Sequence, residues 1–391
     1  MVPDFRGNAV VQFDEVIDEA PGSPGPAGGA ITGLAQKIVL SPVAGDVKVS
    51  WHRSAIHVAP EEGWKPNRVY HLEVLPGIAD LRRNVTKTGT TIVFSTGGAL
   101  PGAALGGTAL LWVEQRLLTQ AVIRAAPLPD TAAYVTLTDS AGNFRLREIP
   151  PGRYRVWAVQ DQNNNRRQDR REPFDTVTVT VDSTASVVLW AFVHDTIGPR
   201  IRTVEPVDSI AVRVTFSQPL DPARAPDTTA VHVFPLPDTT PVTVRALYRP
   251  AQFDSIQARA RALADSLKRL QDTTARRDTT ARRDTTARPR TPAPAAPRAP
   301  AVAGTPGAPS RRDTAAARVD TARVRKLLSQ RPVPYDRLVV QTAHPLTPGA
   351  KYLVRVRAAV GLSGVAADGV GVVGIPVPKP AARDTSKAKT P

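Results

Sequence analysis

The sequence contains no cysteine and a single methionine among its 391 residues, and aromatic residues make up 5% of it. The lack of cysteine excludes a disulfide framework and any metal site built from thiolates. No run of about 18 apolar residues is present, so no segment is predicted to span a membrane as a helix. The opening residues, MVPDFRGNAVVQF, lack a basic stretch followed by an apolar core, so they are not a signal peptide.

The formal net charge is +16, but it is concentrated in one place. Residues 251–332 hold 18 Lys/Arg and 7 Asp/Glu, which leaves only +5 for the rest of the chain. Because this excess lies in a low-complexity segment, a solvated linker is favoured and nucleic acid is not the expected partner. Contact with an anionic polymer through counterion release stays open as the alternative.

Short runs of alternating apolar and polar residues, separated by Pro, Gly and Asp, recur along most of the chain. This period of two is typical of strands with one buried face, and its spacing indicates β-sandwiches. Representative runs are AVVQFDEV, DVKVSW, VYHLEVL, NFRLREI, RYRVWAVQ, TVTVTVD and SIAVRVTFSQPLD.

The predicted fold is therefore all-β, with three tandem β-sandwich domains and a disordered or partly helical insertion in the third. Two stretches of the insertion have helical spacing: one over Ile256–Leu270, capped by Asp254 or Ser255, and one over 313–329. Between them lie a six-residue repeat at 272–288 and a Pro/Ala-rich tract, neither of which can bury a core. The predicted boundaries are 1–99, 100–195, 196–249 together with 333–376, the basic insertion 250–332, and a disordered tail 377–391.

The first and third predicted domains resemble each other in sequence. VVQFDEVID at 10–18 is similar to RVTFSQPLD at 213–221, and PNRVYHLEVLPGIADLRRN at 66–84 is similar to PGAKYLVRVRAAVGLSGV at 348–365. These pairs occur in the same order, which indicates an internal repeat whose second copy holds the insertion between two strands.

These stretches, with Ser41–Pro42 and FSTGG at 94–98, resemble bacterial Ig-like domains of the SbsA type. The middle stretch TDSAGNFRLREIPPGRYRVWAVQDQNNNRRQD resembles prealbumin-like domains of the carboxypeptidase-regulatory and B-type adhesin repeat kinds. The resemblance implies an extracytoplasmic protein of a bacterial envelope or surface, with an unknown protein or polysaccharide as partner. SbsA-type domains usually begin with a strand ahead of VVQF, so the resemblance also implies a first domain lacking that strand and a truncated start.

The segment DQNNNRRQDRRE is the strongest candidate site. It places Asp161, Asn163, Asn165, Asp169 and Glu172 at positions 1, 3, 5, 9 and 12 of a twelve-residue calcium loop. Calcium loops carry glycine at position 6, where this chain has Arg166, and three more arginines lie in the loop. Two interpretations stay open: a calcium site, and a polar loop braced by its arginines.

Other candidate motifs do not indicate catalysis. GVGVVG at 369–374 matches a dinucleotide-binding pattern by letters, but IPVPKP follows it and cannot begin a helix. Asp14, Glu15, Asp18 and Glu19 lie at a strand end, and the six histidines show no metal-binding spacing. We therefore expect a protein without enzymatic activity that acts as a structural spacer or adhesin, with calcium as the one candidate cofactor. A carbohydrate- or anionic-polymer-binding accessory protein is the alternative.

Overall fold

The computed structural model describes residues 5–18, 33–238, 240–277 and 321–377. Within these ranges most of the regular structure is β-strand, and six sheets form three consecutive sandwiches, each with its own buried core. The predicted all-β fold with tandem sandwich domains is confirmed.

The first sandwich consists of two three-stranded antiparallel sheets, β1-β4-β3 and β2-β5-β6. Its core is formed by inward-facing residues of both sheets, including Ile56, Val58, Tyr70 and Leu72. Alternate residues of β4 are buried, as its apolar–polar alternation predicts. The strands are β1 (Ala9–Gln12), β2 (Ile38–Ser41), β3 (Val47–His52), β4 (Ala55–Pro60), β5 (Val69–Val74) and β6 (Thr90–Ser95).

The middle sandwich pairs the sheet β10-β9-β12-β13 with the sheet β11-β7-β14, and β8 adds to β7. All neighbouring strands are antiparallel except β14 and β7, which run parallel. Leu105, Ile123, Tyr154 and Val156 are fully buried between the sheets. The strands are β7 (Ala103–Leu111), β8 (Arg116–Leu117), β9 (Val122–Pro127), β10 (Tyr134–Leu137), β11 (Asn143–Ile149), β12 (Gly152–Val159), β13 (Phe174–Val181) and β14 (Thr184–Ala191).

The third sandwich pairs the sheet β15-β16-β19-β18 with the sheet β17-β20-β21. Val214, Leu338, Val340 and Val354 lie in its core. The strands are β15 (Ile201–Asp208), β16 (Ala211–Leu220), β17 (Val231–Leu236), β18 (Val244–Tyr248), β19 (Tyr335–Thr342), β20 (Lys351–Val360) and β21 (Ala366–Gly374). GVGVVG is therefore part of β21, the last strand of this sandwich.

Two helices lie between β18 and β19: α1 (Pro250–Arg277) and α2 (Thr321–Leu328). Helix α1 starts earlier than predicted, so the cap assigned to Asp254 or Ser255 is wrong. Proline is well suited to the first helical turn, because its missing N–H has no intrahelical partner there. Phe253 anchors the helix against Ala211 and Val339 of the third sandwich. The Pro/Ala-rich tract and most of the repeat lie outside the described residues, as do Glu19 and residues 378–391 of the predicted tail.

The first and third sandwiches share one strand order. Strands β1 to β6 correspond in sequence and position to β16 to β21, and β15 has no counterpart among the described residues of the first sandwich. One hydrogen bond occurs at the same place in both: the Tyr70 hydroxyl accepts from the Lys65 N–H at 2.8 Å, and the Tyr352 hydroxyl accepts from the Thr347 N–H at 2.9 Å. The tight turn between β3 and β4 is replaced by the helical insertion between β18 and β19.

None of the helices in the described ranges combines the length and apolar character needed to span a lipid bilayer.

Candidate functional site

The predicted calcium loop, residues 161–172, connects β12 to its antiparallel neighbour β13 at the end of the middle sandwich that faces the first. Its first residue, Asp161, organises the turn. One carboxylate oxygen accepts from the N–H of Asn165 at 3.2 Å, and the other accepts from the N–H of Arg166 at 2.7 Å. The carboxylate therefore holds the loop backbone in place.

The two asparagines and Asp169 are linked to one another. The side-chain amides of Asn163 and Asn165 both donate to Oδ2 of Asp169, at 2.5 and 3.0 Å. Their carbonyl oxygens also have partners: Asn163 accepts from the N–H of Asn165 at 3.1 Å, and Asn165 accepts from the N–H of Arg167 at 2.7 Å. The atoms that would face a cation are thus used to close the loop on itself.

Glu172, at position 12, is buried with 4% of its surface exposed. Its two carboxylate oxygens accept from the N–H groups of Gln162 at 2.8 Å and Asp169 at 3.0 Å. Because Glu172 is buried, these two donors offset the free-energy cost of removing its carboxylate from water. Glu172 therefore closes the base of the loop.

The fold brings all five sequence-predicted residues together in one loop. In the described ranges, however, no group of three or more His, Asp or Glu side chains is arranged to hold a metal ion. Calcium binding stays a prediction, and the hydrogen bonds just described are those of a polar loop that closes by itself.

Arg166 has the role that sequence analysis left open. Its backbone φ is +55°, in the left-handed region where calcium loops place glycine. Its guanidinium leaves the loop and donates to the backbone carbonyl oxygens of Ile38 and Gln36 in the first sandwich. Burial lowers the pKa of Arg166, while the charges of Asp161 and Glu73 oppose that shift. The arginine thus braces the joint between two domains.

Further polar contacts cross this first joint in addition to those of Arg166. Arg167 forms an ion pair with Asp46 at 2.6 Å, and Arg68 forms one with Asp130 at 2.9 Å. The hydroxyl of Thr136 donates to Glu73 at 3.0 Å, and burial raises the pKa of that carboxyl group. These contacts link residues of the first sandwich with residues of the middle one.

A buried histidine, His71, lies on the same joint. Its ring centroid is 5.0 Å from that of Tyr134, and Nε2 is buried without a hydrogen-bond partner. Burial lowers the pKa of His71 to about 4, although a hydrogen bond to the backbone of Glu148 acts in the opposite direction. The joint therefore holds this imidazole in its neutral form at neutral pH.

The second joint, between the middle and third sandwiches, is mainly apolar. Trp112, Trp190 and Phe192 form a buried cluster, against which Leu327 and Leu328 at the end of α2 pack. Just beyond α2, the guanidinium carbon of Arg331 lies 5.4 Å from the ring centroid of Trp112 and 5.5 Å from that of Trp190. The indole N–H of Trp112 donates to the carbonyl of Pro332 at 3.2 Å.

Sequence analysis missed the roles of His71, Arg331 and the tryptophan cluster, because nothing local distinguishes these residues. For Arg166 there was a signal, namely an arginine where a calcium loop requires glycine. The acidic residues Asp14 and Glu15 are exposed at the end of β1. A hydrogen bond with Asp80 and the charge of Asp80 raise the pKa of Glu15.

Comparison with known proteins gives limited similarity. No family model matches the chain, and no curated protein matches it. Among solved structures, BcpA, the major pilin subunit of Bacillus cereus, aligns over 40% of this chain and 56% of its own, at 10% identity and a TM-score of 0.19. The Bacillus anthracis TIE protein aligns over 60% of this chain and 41% of its own, at 12% identity and a TM-score of 0.18. At these scores the similarity assigns no function.

Proposed function

We propose that the chain is a non-catalytic structural protein of a bacterial cell surface, in which the middle sandwich holds two Ig-like domains in a set orientation. The proposal rests on the side-chain contacts that cross the two boundaries between neighbouring sandwiches. Arg166 of the middle sandwich reaches backbone carbonyls of the first, and Arg331 of the third lies over tryptophans of the middle. A spacer requires its domains to keep one orientation, and contacts that cross each boundary restrict the relative motion otherwise expected of linked domains.

The finer assignments belong to the same proposal. The first and third sandwiches are SbsA-type Ig-like domains, and the middle one is prealbumin-like. The shared order of β1 to β6 and β16 to β21 supports the first assignment, and the paired four-stranded sheets of the middle sandwich support the second. We assign the loop 161–172 to joint stabilisation rather than to calcium, because its carbonyl and carboxylate oxygens already accept hydrogen bonds.

The carbohydrate-binding alternative has no comparable support. A sugar platform requires exposed aromatic rings. In the part of the chain that the structure describes, every aromatic pair within stacking distance has buried or half-buried members.

Distance measurements by pulsed electron paramagnetic resonance test the spacer function directly. Because the chain has no cysteine, a pair introduced at exposed positions carries the only two spin labels. Lys87→Cys with Asp182→Cys reports on the first joint, and Asp182→Cys with Lys351→Cys reports on the second. We expect narrow distance distributions in both. Broad distributions in the otherwise unchanged protein would show that the domains move freely and would overturn the proposal.

The location is tested separately, with an antibody against the folded chain. We expect it to label intact cells of the source bacterium. Labelling only after the cells are permeabilised would contradict a surface location and would leave the joint measurements unaffected.

A further inference from the structure

The sheet β10-β9-β12-β13 of the middle sandwich turns one face to the core and the other outward. On β12, Tyr154 and Val156 are fully buried in the core, whereas Arg153 and Arg155 alternate with them and are exposed. On the neighbouring strand β13 the outward positions are threonines. The outward surface of these two strands, named the Arg–Thr face, comprises Arg153, Arg155, Trp157, Thr176, Thr178 and Thr180.

Strand pairing places the residues of the Arg–Thr face in three rows. Each row joins a residue of β12 to a threonine of β13: Arg153 to Thr180, Arg155 to Thr178 and Trp157 to Thr176. Directly opposed side chains of an antiparallel pair have Cβ atoms about 5 Å apart, and successive outward residues of one strand are about 7 Å apart. The face therefore presents two neighbouring arginines, each beside an exposed hydroxyl group.

The two arginines of β12 are not neutralised by the described part of the chain. The ion pairs among the described residues involve neither Arg153 nor Arg155. The guanidinium carbon of Arg155 lies 5.9 Å from the ring centroid of Trp157, a cation–π contact within the same face. Asp175 of β13 lies on the opposite face, where its carboxylate accepts from the N–H of Trp190 at 2.6 Å. The Arg–Thr face thus carries positive charge that an anionic partner can neutralise.

A third arginine borders the Arg–Thr face. Arg124 of β9 pairs with Trp157 on the side of β12 opposite to Thr176. Burial and the charge of Arg167 both lower the pKa of Arg124. An anion bound near Trp157 would offset the repulsion between these two cations, so the border of the face also favours negative charge.

The parts of the chain outside the described residues do not complement the Arg–Thr face in charge. Residues 278–320 contain eight Arg and four Asp, and residues 378–391 contain four Lys/Arg and one Asp. Residues 19–32 contain Glu19 as their one charged residue. Because like charges repel, charge complementarity selects a separate anionic molecule as the partner of this face.

The residue types of the face distinguish between anionic polymers. Guanidinium groups match the geometry of carboxylates, and threonine hydroxyls both donate to and accept from sugar hydroxyls. Proteins that bind single-stranded nucleic acid stack successive bases on several aromatic rings, whereas this face has one half-buried ring. One ring alone is not a sugar platform, so the charged groups must supply most of the recognition.

We propose that the Arg–Thr face binds a polysaccharide that carries carboxylate groups. Arg153 and Arg155 bind carboxylates of the polymer, the threonines of β13 hydrogen-bond its hydroxyls, and Trp157 contacts a sugar ring. The inference is independent of the two joints and adds a polymer-binding surface to the proposed spacer.

The test is a titration of the full chain with a fluorescently labelled oligogalacturonate at low ionic strength, followed by fluorescence anisotropy. The methyl ester of the same oligomer is the control, because it keeps the sugar ring and removes the charge. We expect saturable binding of the oligogalacturonate that weakens with added salt, and binding of the ester at least about tenfold weaker. Absence of saturable binding, or equal binding of the ester, would overturn the proposal.

Two matched double variants locate the binding surface. Arg153→Gln with Arg155→Gln removes both charges of the Arg–Thr face, and we expect binding to weaken at least about tenfold. Arg145→Gln with Arg147→Gln removes two exposed charges at the same spacing on β11, in the opposite sheet, and should leave binding within about twofold. The net charge changes equally in both, so any contribution of the basic insertion changes equally too. Equal weakening by the two double variants would contradict the proposal.

Single-stranded DNA of similar length distinguishes the two classes of anionic polymer. We expect it to bind more weakly than the oligogalacturonate, with no difference between the two double variants. Tighter binding of the DNA that is lost in Arg153→Gln with Arg155→Gln would assign the face to nucleic acid and overturn the proposal. Circular dichroism of both double variants should show folded protein, since all four arginines are exposed.

Discussion

The guanidinium of Arg166 lies across a domain boundary from Ile38 and donates to its backbone carbonyl oxygen, although 128 residues separate the two in sequence. The same side chain donates to the carbonyl of Gln36. A backbone carbonyl in the first sandwich is thus satisfied by a charged donor from the middle sandwich, which couples the loop 161–172 to the joint.

Replacing Arg166 by glycine should loosen the first joint even though it restores the glycine of a calcium loop. The change relieves a left-handed backbone conformation that costs about 1–2 kcal/mol. It also removes two hydrogen bonds from a charged donor, each contributing about 1.5–3 kcal/mol. We expect a net loss of about 2 kcal/mol, measured as faster amide hydrogen exchange around Gln36 and Ile38.

Arg170→Gly is the matched control, because Arg170 lies in the same loop and is exposed. It should leave exchange in the first sandwich unchanged. If the amide groups around Gln36 and Ile38 exchange as slowly in Arg166→Gly as in the unchanged chain, the guanidinium does not stabilise the joint.

Calcium should have no effect on stability if the loop closes by its own hydrogen bonds. We expect thermal unfolding in millimolar calcium and in a chelator to give the same midpoint, since a ligand that binds only the folded state would raise it. Asp161→Ala should lower the midpoint equally in both buffers, because it removes the acceptor for the N–H groups of Asn165 and Arg166. A calcium-dependent increase that disappears in Asp161→Ala would instead establish the calcium site.

Acid should weaken the first joint through His71. Its pKa in the folded protein is about 4, below the ordinary value of 6.5, so the unfolded chain binds a proton more readily. The stability that neutral His71 contributes is present above pH 6.5 and is lost as the pH falls towards 4. The shift corresponds to about 3 kcal/mol by linkage. Denaturant titrations between pH 7 and pH 4 measure it.

His71→Phe is the comparison that isolates this effect, because it keeps an aromatic ring beside Tyr134 and cannot titrate. The pKa of the nearby Glu73 carboxyl is raised, so the folded chain binds that proton more readily than the unfolded chain does. Protonation of Glu73 on acidification therefore increases stability, opposite to the effect of His71. We expect the unchanged chain to lose more stability on acidification than His71→Phe does. Identical pH profiles for the two proteins would contradict the assignment.

Replacing Arg331 by alanine should weaken the second joint. The guanidinium lies over both Trp112 and Trp190, and such contacts at partly exposed sites contribute about 0.5–1 kcal/mol each. We expect a broader distance distribution between labels at positions 182 and 351 and an altered tryptophan emission. Arg325→Ala, on the exposed side of α2, should change neither. If the distance distribution of Arg331→Ala is as narrow as that of the unchanged chain, the apolar cluster alone stabilises the second joint.

Much of the fold could be predicted because its signals are local. The alternation in segments such as AIHVAP places every second residue on the buried face of a strand, whatever the strand pairs with. The similarity between 10–18 and 213–221 likewise indicated a repeat, and the two segments do occupy the same position in the first and third sandwiches. The start of α1 was missed because the apolar stripe begins at Ile256, whereas the chain already turns into a helix at Pro250.

The sequence by itself determined the β-sandwich architecture and the convergence of Asp161, Asn163, Asn165, Asp169 and Glu172 in one loop, since both depend on spacing along the chain. Only the tertiary structure decided what those residues contact. Arg166 reaches a different domain, and His71 is buried beside Tyr134. Contacts between residues more than a hundred positions apart depend on how completed sheets pack against each other, and no local pattern encodes that packing.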